Sequence, residues 1–227
     1  MGTDVATKAA VAKLLLVAGV VMAAIATWSS WQQLQLIQDV AGGLEVSDEA
    51  LIASDDRQGL LGILQTALGI VVAIAFLVWL RAVTRRLQEL GVTGLKHAPK
   101  WAIWGFIIPI LNLFRPHQVM SEVWKASEIA PGPEDPWSAK PTPAIVHLWW
   151  GVLLIENVVG QFLFRTTFRA ETLDEILQLA TTTVVADALG IVSAFLAYRL
   201  VTAIDARLAA SEARLADRVA IAPAVTT

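Results

Sequence analysis

The chain has no cysteine, a single tyrosine and three histidines among its 227 residues, and only 16% of it is charged. Without cysteine there is no disulfide, no thiolate metal site and no thiol nucleophile. The histidines, His97, His117 and His147, stand at spacings that match no standard metal motif, so neither a metal nor a cofactor is expected. Nor does the chain contain a Walker loop, a dinucleotide fingerprint, a nucleophile elbow or a zinc-protease helix, which withdraws support from the soluble enzyme classes. A net charge of −3 offers no basis for a nucleic-acid partner.

What fills the chain instead is apolar. Hydrophobic residues make up 56% of it and the mean hydropathy is +0.61, with the apolar positions gathered into long blocks. Crossing a hydrocarbon core of roughly 30 Å takes about 20 apolar residues as helix. Four blocks reach or approach that length: Ala12 to Trp31, Leu60 to Leu80, Ala144 to Phe164 and Leu177 to Tyr198. The first resembles a cleavable signal, with Lys8 and Lys13 before it and Ala24-Ile25-Ala26 near its end. Its apolar run continues past Ala26 to Trp31, so it is read as a retained span with an interfacial anchor.

Between the second and third spans lies WAIWGFIIPILNLFRP, Trp101 to Pro116, apolar and too short to cross. Charge decides how it is read. If it returns to the side it starts from, fourteen of the seventeen Lys and Arg residues share one face. The other face keeps Arg57, Arg165 and Arg169 and gathers nine acids: Asp39, Glu45, Asp48, Glu49, Asp55, Asp56, Glu171, Asp174 and Glu175. Were it a fifth span, the division would be nine against eight. The positive-inside rule selects the returning arrangement, with both termini cytoplasmic.

The expected organisation is therefore an all-α membrane protein of four transmembrane helices, a short re-entrant or interfacial segment and a cytoplasmic amphipathic helix. In order these are an N-terminus (1–11), a first span (12–31), an acidic outer loop (32–59), a second span (60–80) and a basic loop (81–100). The returning segment (101–115), the amphipathic surface helix (116–130) and a proline-rich loop (131–143) follow. A third span (144–164), an outer loop (165–176), a fourth span (177–198) and a C-terminal surface helix and tail (199–227) complete the chain. Pro109 would free a carbonyl one turn earlier, which Asn112 could satisfy. Over 116–130, Val119, Met120, Val123 and Trp124 share one side, with Gln118, Ser121, Glu122 and Lys125 on the other. Pro131-Gly132-Pro133 would end that helix, and Ser47 would cap a short helix from Asp48 to Ala53 in the outer loop. After Tyr198, Val201, Ile204, Leu208 and Leu215 form a seam interrupted by Ser211 and Arg218.

The run FLVWLRAVTRRLQELG (76–91) followed by WAIWGFIIPILNLFRPHQVMSEVWKAS (101–127) resembles a bacterial, actinobacteria-rich family of four-span membrane proteins catalogued as a domain of unknown function. The resemblance rests on Trp79, Gly91, Trp101, Trp104, Pro109, Asn112, Pro116 and Trp124, a W-x2-W-x4-P-x2-N-x3-P signature with two further tryptophans and a glycine, and Trp149-Trp150 agree with it. The family commonly has an asparagine near Arg86 that this chain does not share. The resemblance implies architecture and carries no activity.

Ionisable residues inside spans are the usual place to look for function. Glu156 and Asp187 sit near the middles of the third and fourth spans, roughly 19 and 16 Å from the cytoplasmic ends at 1.5 Å per residue. With Asn157 and Gln161 nearby, and oxygens from Gln65, Thr66 and Thr181 to Thr183 within reach, they outline a proton or cation site. The competing reading is hydrogen-bonded glue between helices. Small residues four apart, Gly19 and Ala23, Gly69 and Ala73, and Ala186, Gly190 and Ala194, mark faces for close helix packing.

The functional expectation is a multi-pass protein of the bacterial plasma membrane, non-enzymatic, serving structure or interaction. A small transporter or ion-binding component using Glu156 and Asp187 is the alternative, and a lipid-active membrane enzyme the second alternative. Its partners would be the lipid bilayer, a membrane or cytoplasmic protein, and a second copy of the chain.

Overall fold

The computed structural model describes residues 2–128 and 137–221. The Pro131-Gly132-Pro133 stop, much of the proline-rich loop and the tail after 221 lie outside the described residues. The elements are α1 (Gly2–Ala41), α2 (Asp48–Glu89), α3 (Trp101–Ile107), α4 (Pro109–Asn112), α5 (Arg115–Ala126), a 3-10 turn (Trp137–Ala139), α6 (Ala144–Thr166) and α7 (Leu173–Ile221). Among the described residues there is no strand. Helices α1, α2, α6 and α7 are long and apolar enough to cross a membrane. The chain divides into unit 1 (residues 1–14, 74–150 and 197–227) and unit 2 (15–73 and 151–196).

The helix termini follow local rules. Ser47 does cap α2, its Oγ accepting from the Ala50 N–H at 3.3 Å, but that helix does not stop at Ala53; it runs on to Glu89, since residues 54–59 contain no proline and their one glycine is tolerated within a continuing apolar helix. At the other end Gly91, with φ +81, closes a Schellman motif: the Val92 N–H bonds the Leu87 carbonyl and the Gly91 N–H that of Gln88, both at 3.0 Å. A capping box opens α7. Thr172 Oγ1 accepts from the Glu175 N–H, while Glu175 Oε2 accepts from the Thr172 and Glu171 N–H groups at 3.1 and 2.9 Å. Those donors, that of Glu171 foremost, hold the Glu175 carboxyl below its ordinary range.

Unit 2 packs parts of the four long helices through their small residues. A Cβ on Gly190 would stand 3.6 Å from that of Ala23, and one on Gly19 would stand 4.0 Å from Ala194 and 3.8 Å from Val72. The expected small-residue faces of α1 and α7 are thus in use, against each other. The Gly69 face is not: nothing lies within 4 Å of where its side chain would be.

Unit 1 differs from the expectation in three places, each for a physical reason. Pro109 leaves no orphaned carbonyl in mid-helix, because α3 ends before it. Ile108 is extended (φ −77, ψ 118), as a residue before proline prefers, and Pro109 begins α4 at a position that needs no N–H partner. The backbone then reverses: a Cβ on Gly105 would lie 2.8 Å from that of Arg115, whereas ten residues of straight helix would separate them by about 15 Å.

The second difference is α5, which is no surface helix. Pro116, Val119, Met120, Ser121, Glu122, Val123 and Ala126 are all buried, because its apolar side and the Ser121 and Glu122 part of its polar side are covered, while Gln118 stays exposed. The third is the C-terminal helix. Leu200, Val201, Ile204 and Leu208 are buried in unit 1, and the interrupting Ser211 is accommodated by donating its hydroxyl to the Ser127 carbonyl at the end of α5, 3.1 Å away. Trp79, fully buried, anchors an aromatic group: Phe76 meets Trp79, Phe106 and Trp149 with ring centroids 5.5, 6.2 and 5.8 Å apart.

Fourteen of the seventeen Lys and Arg residues fall in unit 1 with nine of the twenty acids, a net +5; unit 2 holds three and eleven, a net −8.

Candidate functional site

The most densely organised polar group lies in unit 1, where the loop before α3 closes over the polar side of α5. Glu122, 8% exposed, is its centre. Its carboxylate accepts from the backbone N–H of Lys96, from that of His97 at 3.1 Å and from His97 Nδ1 at 2.6 Å. Burying a carboxylate is tolerable only with such donors in place. Arginine can only donate, and Arg115 Nη1 lies 2.7 Å from His97 Nε2, so the hydrogen-bond roles assign the proton of His97 to Nδ1, facing Glu122.

Arg115 is in turn held from three directions: by His97 Nε2, by Gln118 Oε1 at 3.1 Å, and by the Trp101 ring, whose centroid is 5.2 Å from the guanidinium carbon. No acid pairs with it among the described residues. The surrounding recess, about 500 Å3, is lined by Lys96, His97, Arg115, His117, Lys125 and Trp137 together with Gln118, Ser121, Glu122 and Ser138. The Lys96 and Lys125 ammonium groups likewise have no ion-pair partner among the described residues. Trp137 ties down the recess edge by donating its indole N–H to the Thr93 carbonyl at 2.9 Å, and Ser121 and Thr142 share a hydroxyl hydrogen bond.

Beside the recess His117 Nε2 and His147 Nδ1 are 2.9 Å apart, and His117 packs against the Trp150 ring at 5.4 Å. Burial, then His147 and Lys125, lower the affinity of His117 for a proton below the ordinary histidine value. His97 and Glu122 make a pair and His117 and His147 another; among the described residues no three metal-ligating side chains gather.

The intramembrane candidates lie in unit 2 and are held separately. Asp187 accepts from Ser30 Oγ at 2.6 Å and from Gln65 Nε2 at 2.9 Å, joining α7 to α1 and α2. Glu156 approaches α7 further along, its Oε1 3.7 Å from where a Gly190 side chain would stand and near Ser193. Those levels are three to six residues apart on α7, about 5–9 Å. Asn157 turns back to the Leu153 carbonyl of its own helix at 2.7 Å. Gln161 lies with Glu156 and Asn157 along one shallow groove. Thr181, Thr182 and Thr183 each bond a carbonyl one turn earlier. Ser30 has no distinguishing sequence signal: it is one of two serines at the end of an apolar block.

Of the signature residues, Trp101 supports Arg115, and Trp124 is covered by the Arg207 guanidinium at 4.4 Å. Trp104 is exposed, Pro109 and Pro116 sit at the starts of α4 and α5, and the Asn112 N–H bonds the Ile108 carbonyl at 2.8 Å. Sequence periodicity assigns Glu122 to the solvent side of α5. The available signal against that is chemical: it is a lone acid in a stretch that supplies Lys96, Lys100, Arg115 and Lys125.

A family model described as Domain of unknown function (DUF4328) matches residues 42–206, which takes in the whole recess and leaves Ser30 outside. No curated protein and no solved structure matches the chain.

Proposed function

We propose that the chain, which belongs to the Domain of unknown function (DUF4328) family, is a non-enzymatic multi-pass protein of the bacterial plasma membrane that binds an anionic group in the unit 1 recess. The observation that carries this reading is the Arg115 guanidinium, held by His97, Gln118 and Trp101 with no acid paired to it among the described residues. Lys96 and Lys125 add two further cations at the same recess, and a guanidinium already oriented loses little freedom when it binds an oxyanion.

The chemistry favours binding over catalysis. Glu122 is occupied by three donors, both ring nitrogens of His97 are engaged, and His117 and His147 bond each other. A general base needs a free lone pair within reach of the proton it takes; the His97 imidazole has none left, while the His117–His147 pair keeps one ring nitrogen free. The +5 balance of unit 1 supports a cytoplasmic placement by the positive-inside rule, and with it cytoplasmic termini. The two neutral donors on Asp187 support the glue reading of that acid over a transport role.

The test is thermal unfolding of the purified protein in detergent with inorganic phosphate against chloride at equal ionic strength. Ligand at 100 times its Kd stabilises by about 2.7 kcal/mol, so the midpoint should rise with phosphate in the wild type and not in K96Q/R115Q/K125Q. Equal shifts in both proteins would refute the reading.

A further inference from the structure

The geometry points to the headgroup phosphate of an anionic phospholipid, approached over the α3–α4 hairpin, as the occupant of the recess; this rests on the anion-binding reading above. Arg115 belongs to two surfaces at once. It lines the recess, and it directly follows a hairpin that leaves Trp104, Ile107, Ile108, Ile110, Leu113 and Phe114 exposed. Six apolar side chains leading up to one fixed cation form a platform that a soluble phosphate does not need. An acyl chain beside a phosphate uses both parts.

The level of the hairpin agrees. Phe106 of α3 packs against Phe76 and Trp149. These lie four and five residues inside the apolar blocks that end at Leu80 and begin at Ala144, about 6–8 Å along the helices. That is the depth of an interfacial element, whose apolar face reaches roughly 5–10 Å into the headgroup and acyl boundary. His117 bonds His147, the fourth residue of α6, so the start of α5 sits within the first turn of that helix, where lipid phosphates would be. Trp101 under the guanidinium suits the same zone. The +5 balance of unit 1 adds the sign of charge that draws anionic lipid.

The experiment titrates the purified full-length protein in detergent with dioctanoyl phosphatidylglycerol, dioctanoyl phosphatidylcholine and inorganic phosphate, reading the thermal midpoint. Phosphatidylglycerol should half-saturate at a concentration at least about tenfold below that of phosphate, a tenfold step being the scale of one good contact. Phosphatidylcholine, with no net charge, should give no saturable shift. R115Q should weaken phosphatidylglycerol about tenfold or more, with R115K recovering part of the loss because lysine keeps the charge and loses the planar fork. I110S, which keeps every cation, should weaken phosphatidylglycerol and leave phosphate unchanged; if R115Q does not fold, K125Q and I110S carry the comparison. Phosphate binding as tightly as phosphatidylglycerol, or phosphatidylcholine binding equally well, would overturn the lipid assignment and leave the anion reading standing. Neither phosphate nor phosphatidylglycerol shifting the midpoint would remove both.

Discussion

Replacing Glu122 by glutamine changes one oxygen to an amide and barely alters shape, so it isolates what the carboxylate does. In the native protein this group receives the Lys96 and His97 N–H bonds and the His97 Nδ1–H while 8% exposed. Glutamine has one acceptor oxygen, and its NH2 must face a donor. At least one buried N–H therefore loses its partner, which costs about 1–3 kcal/mol, and the charge-assisted character of the remaining bonds is lost as well. A total of about 2–4 kcal/mol follows, and at about 1.4 kcal/mol per tenfold the local opening of the 95–100 loop should become roughly 30- to 1000-fold more frequent. Amide hydrogen exchange at Lys96 and His97 reads this directly, with E171Q, in an exposed loop, as the control. Arg115 loses the His97 ring that orients it, so the phosphate-induced rise in midpoint should shrink in the same variant. Unchanged exchange at both amides, together with an unchanged midpoint, would refute the claim that Glu122 organises the recess.

Gly105→Ala should destabilise by about 1–3 kcal/mol, because its Cβ would stand 2.8 Å from that of Arg115 and one of the two backbones must move; thermal midpoints measure it, and a neutral result would contradict the reversal at Pro109. His117 has its proton affinity lowered by burial, His147 and Lys125, so protonation favours the unfolded chain. Its contribution to stability is full above about pH 6.5 and is lost as the pH falls from there through the lowered folded value, and H117Q should flatten that part of the stability profile. Asp187→Leu should cost about 1–3 kcal/mol by leaving Ser30 and Gln65 without their acceptor, while D187N costs less; a cation-dependent midpoint in the wild type that D187N and E156Q both abolish would instead favour the ion-site reading. In the cysteine-free chain, a cysteine at exposed Thr172 should react with an impermeant thiol reagent in intact cells and one at exposed Ser138 should not; Ser54 and Ser127 are buried and unsuited to the test.

Length and composition alone determined the four apolar helices, since about 20 residues of low polarity have few other uses. Covalent geometry likewise determined that Pro109 disturbs the helix, through its missing N–H and the constraint on Ile108. It did not determine that α3 would end there and the backbone reverse instead of continuing past a freed carbonyl. The charge division was equally legible, and the unit boundaries fall along it. Tertiary structure decided the polar chemistry. Helical periodicity says which residues share a side of α5 and not what covers that side, so Glu122 and Ser121 read as solvent-facing until the loop carrying Lys96 and His97 and the segment carrying Thr142 close over them. The seam after Tyr198 read as a free surface helix for the same reason. Asp187 meets residues 157 and 122 positions away, and no local pattern encodes a partner at that distance. Burial of apolar blocks is additive along the chain and can be counted from it, whereas a hydrogen bond needs a particular donor at a particular angle, and that is known only once the helices are packed.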